Sequence, residues 1–116
     1  MQDFYNPIPM DLTVVRGDTL AFNFQLEGAD NVSEITFTCK NNPDDTEAVF
    51  NQSLTHGGIV LLNSENGTDT YSVRIRPDQT EGLDIARYYY DLELKAGYDV
   101  ITLMKGRLIV DWDATN

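Results

Sequence analysis

Apolar and polar residues alternate with a period of two along most of this chain, and no amphipathic helix longer than a turn or two fits the pattern. The cleanest run is Thr19 to Leu26, with Leu20, Phe22, Phe24 and Leu26 on one side and Thr19, Ala21, Asn23 and Gln25 on the other. Glu34 to Lys40 repeats it with Ile35, Phe37 and Cys39 inward. Thr70 to Arg76 does so with Tyr71, Val73 and Ile75, and Tyr88 to Lys95 with Tyr88, Tyr90, Leu92 and Leu94. Each of these segments is a strand with one dry face and one wet face. Weaker patterns predict four more strands. These are Asp11 to Val15; Ala48 to Leu54 at a sheet edge; the apolar run Ile59 to Leu62, too short for a helix; and Val100 to about Trp112, in which Gly106 suggests a bulge.

Turn chemistry separates these runs: Arg16-Gly17-Asp18, Glu27 to Asn31, Asn41 to Asp45, Thr55 to Gly58, a polar tip from Asn63 to Asp69, and Ala96 to Asp99. Pro77 stops the strand before it, and Pro77 to Leu83 is the single plausible helical piece, with proline at its start and Gly82 near its end. Seven or eight short, mostly antiparallel strands without a repeat or linker predict an all-β chain, an immunoglobulin-like β-sandwich; a small closed barrel is the alternative. The segment Asp84-Ile85-Ala86-Arg87-Tyr88-Tyr89-Tyr90 resembles the immunoglobulin-type corner, with Tyr88 in the tyrosine place and Tyr90 where that fold has its buried cysteine. Tyr88 is therefore expected to hydrogen-bond the backbone near Leu83 or Asp84. The domain spans 11–116, behind a Pro-bearing N-terminal arm over 1–10 that contains Phe4, Tyr5, Ile8 and Met10. Its expected core is Leu20, Phe22, Phe24, Ile35, Phe37, Cys39, Tyr71, Val73, Ile75, Tyr88, Tyr90, Leu92 and Leu94.

Length and charge narrow the function classes. A single domain of 116 residues buries roughly 65% of its unfolded surface, enough for an independent core. Eight basic against nineteen acidic residues give a net charge of −11, which repels nucleic-acid phosphates and anionic lipid, so neither nucleic acid nor a membrane is an expected partner. No apolar run reaches a membrane span, and the first residues lack the regions of a signal peptide. Cys39 is the single cysteine and reads as a small buried apolar residue.

Candidate chemistry is sparse, and at each position an ordinary structural role is the simpler account. His56 stands beside Gly57-Gly58 without a second ligand or a serine to activate. Asp91 and Glu93 lie two apart on one strand face, a spacing that overlaps the separation of glycosidase carboxylates, yet both point into water; pairing across strands to Arg74 or Arg76 is expected instead. Asn41, Asn42, Asp44, Asp45 and Glu47, or Glu65, Asn66 and Asp69, could offer oxygens to calcium but lack the spacing of a calcium loop. Arg16-Gly17-Asp18 spells an adhesion tripeptide and equally suits a hairpin turn. The sequons at Asn31, Asn51 and Asn66 carry little meaning without a signal peptide. No catalytic, cofactor-binding or metal-binding residue is assigned.

Four segments, taken in order, carry a resemblance: Asp11-Leu12-Thr13-Val14-Val15-Arg16-Gly17-Asp18-Thr19-Leu20, Ile35 to Lys40, Tyr88-Tyr89-Tyr90-Asp91-Leu92-Glu93-Leu94, and Thr102-Leu103-Met104-Lys105-Gly106-Arg107-Leu108-Ile109-Val110. Together they resemble the N-terminal domain of phage upper baseplate (BppU-like) proteins. The resemblance implies a non-enzymatic virion structural protein of a phage or prophage, a tail or baseplate assembly or decoration module without cofactors. Other phage structural proteins are the implied partners, self-association into a homo-oligomer is left open, and the implied location is the virion, assembled in the bacterial host cytoplasm. The alternative is a carbohydrate-binding or cell-surface ligand-binding module using Tyr89, Tyr98 and Trp112, which requires those rings to share one groove.

Overall fold

A computed structural model of the chain describes residues 8–29 and 31–112. It contains nine strands: β1 (Ile8–Pro9), β2 (Leu12–Val15), β3 (Leu20–Glu27), β4 (Val32–Lys40), β5 (Phe50–Ser53), β6 (Ile59–Glu65), β7 (Thr68–Ile75), β8 (Arg87–Ala96) and β9 (Asp99–Asp111). One short helix, α1 (Pro77–Glu81), lies between β7 and β8. The strands form two sheets. The larger runs β1-β9-β8-β4-β5, with β2 also on β9, and the smaller runs β3-β7-β6. Both β1 and β2 lie parallel to β9, whereas every other pairing is antiparallel.

The expected alternation sets this arrangement. In β4 and β8 the register places Ile35 opposite Leu94, Phe37 opposite Leu92 and Cys39 opposite Tyr90, so the inward rows of both strands coincide. The inward row of β3 meets that of β7 in the same way, Leu20 with Ile75, Phe22 with Val73 and Phe24 with Tyr71. A shift of one residue would turn either row into solvent. The two inner faces pack together through Phe37, whose ring stacks on Tyr90 at 5.1 Å and on Phe50 at 6.2 Å and meets Phe22 of the opposite sheet at 6.2 Å. Two antiparallel-rich sheets in this order, with the β7–β8 connection running through a tyrosine corner, make an immunoglobulin-like β-sandwich. An aromatic cluster fills the centre, where antibody domains carry a disulfide. The corner forms as expected: the backbone N–H of Asp84 donates to the Tyr88 hydroxyl at 2.8 Å.

Several details depart from the sequence reading. The hairpin tip is far shorter than Asn63 to Asp69, because β6 continues to Glu65 and β7 starts at Thr68. Asn66 and Gly67, both with positive φ, make the two-residue turn that Asn-Gly favours. Gly106 is not a bulge. It sits in regular register opposite Tyr90, and the extra residue of β9 falls at Leu103. A Cβ at Gly106 would lie 2.1 Å from the Met10 carbonyl oxygen, so the glycine is needed for the close crossing of the N-terminal backbone over β9. Arg16-Gly17-Asp18 joins strands of different sheets rather than closing a hairpin. Leu20, Phe22 and Phe24 are half-buried, since β3 is an edge strand, and the core gains Val14, Leu26, Ile59, Leu83, Leu103, Met104, Leu108 and Val110. Of the N-terminal arm, Ile8–Pro9 pairs with Met104 and Lys105 of β9 as an ordinary strand, and Met1–Pro7 lies outside the described residues.

Candidate functional site

Two kinds of surface stand out once the sandwich is built: the outer face of the large sheet and the open edge of the small one. On β8 the residues Arg87, Tyr89, Asp91, Glu93 and Lys95 point outward, because their neighbours Tyr88, Tyr90, Leu92 and Leu94 fill the core. The register sets Tyr89 against Lys40 and Arg107, and Asp91 against Thr38 and Lys105. Five of the eight basic residues, Lys40, Arg87, Lys95, Lys105 and Arg107, therefore share one face of an acidic molecule. A concavity of about 550 Å³ lies on this face, with Pro9 and Pro43 at its sides and Tyr89, Asp91 and Thr102 in its floor.

Among the charges here, Asp11 and Arg107 form an ion pair. Asp11 accepts from the backbone N–H of Arg107 at 3.0 Å and from its guanidinium at 3.0 Å, and these two bonds hold its carboxyl below the usual range. Burial pushes Asp91 above it, with Lys40 pulling the other way. The Tyr90 hydroxyl donates to the Met10 carbonyl, and burial, reinforced by the Asp11 charge, moves it up to about 12. Arg74 and Arg76, expected beside Asp91 and Glu93, are elsewhere. Arg74 is on β7 of the other sheet, and Arg76 pairs with Asp78 at 3.0 Å. Glu93 lies instead between Thr36 and Thr102.

The remaining candidates take structural roles. Cys39 is fully buried, and desolvation moves its thiol up to about 12, which keeps it as an unreactive core residue. His56 is exposed in the turn after β5, its backbone N–H donating to Ser53 Oγ at 3.1 Å. In the loop after β4, Asp45 closes a turn on Asn42 through backbone and side-chain bonds of 3.1 Å each. Asp69 accepts from Ser64 across the hairpin. Among the described residues no three His, Cys, Asp or Glu side chains are grouped to hold a metal ion. The Arg16-Gly17-Asp18 turn is fastened to α1 by Thr80. Its buried hydroxyl accepts from Gly17 N–H at 3.1 Å and donates to the Asp18 carbonyl at 2.7 Å. Thr80, and Gln52, which donates to the Arg74 carbonyl at 2.9 Å and to Gln79 at 2.7 Å, were missed in the sequence because a buried polar anchor has no pattern of its own.

The three aromatic residues expected to form a groove are dispersed. Tyr89 faces the concavity, Tyr98 is fully exposed in the β8–β9 hairpin, and exposed Trp112 lies just past the far end of the 13-residue strand β9. At about 3.4 Å per residue the two ends of that strand are roughly 40 Å apart.

The second surface is β6, an outer strand of the small sheet. Its residues Val60, Leu61 and Leu62 are 44%, 49% and 52% exposed, a consecutive apolar run in water.

No family model matches the chain, and no curated protein matches it. Among solved structures, the first immunoglobulin domain (Ig1) of mouse SynCAM 2 aligns over 89% of this chain and 92% of that one, at 19% identity and a TM-score of 0.40. The sandwich assignment rests on the strand order and register described above.

Proposed function

We propose that this protein is a non-enzymatic structural component of a phage or prophage virion, an assembly or decoration module of the tail or baseplate. The observation that carries the reading is the open β6 edge with its exposed apolar run. Such an edge offers unpaired backbone groups and apolar contact to another protein chain. The motif resemblance to upper baseplate proteins supplies the virion context. Mass spectrometry of particles purified after prophage induction tests it: the chain is expected at a fixed ratio to known tail proteins. Its absence from washed particles, while it is present in the lysate, would overturn the reading.

The concavity beside Tyr89 favours a second reading, a ligand-binding module for carbohydrate. That reading predicts saturable glycan binding that Tyr89→Ala abolishes. Tyr98→Ala and Trp112→Ala should leave it unchanged, because neither ring lines the concavity.

A further inference from the structure

The free edges of the two sheets are unequally guarded. β1 is two residues long and contains Pro9, and β5 is four residues long. β3 presents no large exposed apolar side chain, and Ala21, Asn23, Gln25 and Glu27 make up its outward row. β6 runs seven residues with neither proline nor Lys or Arg, and its guards are a register shift between Leu61 and Asn63 and the single acid Glu65 at its end. Its apolar run also lies toward the end of residues 48–64, which contain no Asp, Glu, Lys or Arg at all, in a chain of net charge −11.

We infer that β6 pairs with β6 of a second copy of this chain, antiparallel about a two-fold axis at Leu61, joining two three-stranded sheets into one. This deepens the assembly reading above, on which it rests, by naming the partner at the open edge.

Three observations converge on it. The first is hydrogen-bond direction. Arg74 N–H donates to the Gly58 carbonyl at 2.9 Å, so the bonded pairs of β6 with β7 fall on Gly58–Arg74 and Val60–Ser72. By alternation, the N–H and C=O of Ile59 and Leu61 face away from β7 toward the open side. The second is register. With Leu61 opposite its own copy on one face, Val60 faces Leu62 in both directions on the other, so each exposed apolar residue gains an apolar partner. Centring on Leu62 instead would set Leu61 against Asn63 and Val60 against Ser64. The third is charge. Two copies of an acidic molecule repel over most of their surface, and here the approaching strands carry no charge from Ile59 to Ser64, with Glu65 at the end falling opposite Gly57 rather than another acid. The register shift between Leu61 and Asn63 bends the strand and keeps the ladder short, so the contact is a weak one that dissociates on dilution.

Sedimentation velocity of the full chain, from the low micromolar to the sub-millimolar range, reads this directly. A concentration-dependent dimer is expected, and Leu61→Lys, which sets like charges opposite each other, should remain monomeric with an unchanged melting temperature. Independently of how that variant folds, Leu61→Cys adds an accessible thiol to a chain whose own Cys39 is buried. A short bis-maleimide should crosslink it to a covalent dimer, and should leave Asn23→Cys on β3 uncrosslinked. A monomer at every concentration, a dimer that survives Leu61→Lys, or equal crosslinking at the two cysteine positions would overturn the inference. Monomeric protein present in particles removes self-pairing alone. A dimer that never enters particles removes the virion reading alone.

Discussion

The middle of the large sheet and strands β3 and β7 of the small sheet were built from the same alternating pattern, and they end in different environments. β4 and β8 have hydrogen-bonded strands on both sides, and their inward residues Ile35, Phe37, Cys39, Leu92 and Leu94 are almost completely buried. In the small sheet only β7 is flanked on both sides. Its Val73 and Ile75 are fully buried, while the inward row of β3 keeps Leu20, Phe22 and Phe24 half-exposed and β6 leaves Leu61 in water. Edge position therefore lowers the burial of an inward row without abolishing it, since Leu26 of β3 and Ile59 of β6 are fully buried although each strand has one open side.

The sharpest way to break the comparison is to empty the same ring from each sheet. Phe37→Ala removes a fully buried ring that touches three other aromatics and should cost about 3–5 kcal/mol in chemical denaturation. Phe24→Ala removes a half-buried ring stacked only on Tyr71 among the described aromatic contacts, at 5.4 Å, and should cost less, about 1.5–3 kcal/mol. Equal losses would mean that edge position does not govern burial here.

Closing the outer side of β9 depends on a close backbone approach. Gly106→Ala places a methyl against the Met10 carbonyl, which must move, and overpacking of that kind costs about 1–3 kcal/mol. Amide exchange should report faster opening at Met10, whose N–H donates to the Lys105 carbonyl at 3.1 Å, with β4 and β8 unaffected. Exchange rising uniformly across the molecule would instead show that the N-terminal strands are part of one cooperative unit with the centre.

A smaller effect is expected at the corner that links the two sheets. Tyr88→Phe keeps the ring and leaves the Asp84 N–H without its acceptor, a loss of about 0.5–1.5 kcal/mol with the fold intact. A loss near zero would show that water replaces the hydroxyl without penalty.

The mildest prediction concerns the outer face of the large sheet. Desolvation raises the pKa of Asp91 in the folded chain above its unfolded value, so the folded state holds its proton to higher pH. Stability then falls as pH rises from the unfolded carboxyl value of about 3.9 through the raised folded value. Asp91→Asn should accordingly increase the melting temperature at pH 7 and have no effect at pH 3, where both states are protonated. An increase of the same size at both pH values would assign the effect to hydrogen bonding rather than to burial of charge.

The sequence by itself determined the all-β class, the inward rows of four strands and the tyrosine corner. Each of these depends on local alternation or on residues within a few positions of one another, which the chain displays in order. It also carried the Asn66-Gly67 turn in plain view, although the polar residues around it suggested a longer loop. Only the tertiary structure decided which inward residues are truly dry, because that depends on which strands become edges. It alone explained Gly106, whose crowding neighbour, Met10, is 96 residues earlier in the chain. The same holds for Asp91 and Glu93, which face Lys105, Thr36 and Thr102 rather than Arg74 and Arg76. It likewise brought Thr80 to the turn at Gly17 and Asp18, and Gln52 to the backbone of Arg74. Contacts between segments distant in sequence are set by how the sheets stack, and the free energy that selects one stacking is a sum over the whole core. The exposed run Val60-Leu61-Leu62 shows the same division: its apolar character is local, and its place at an open edge is not.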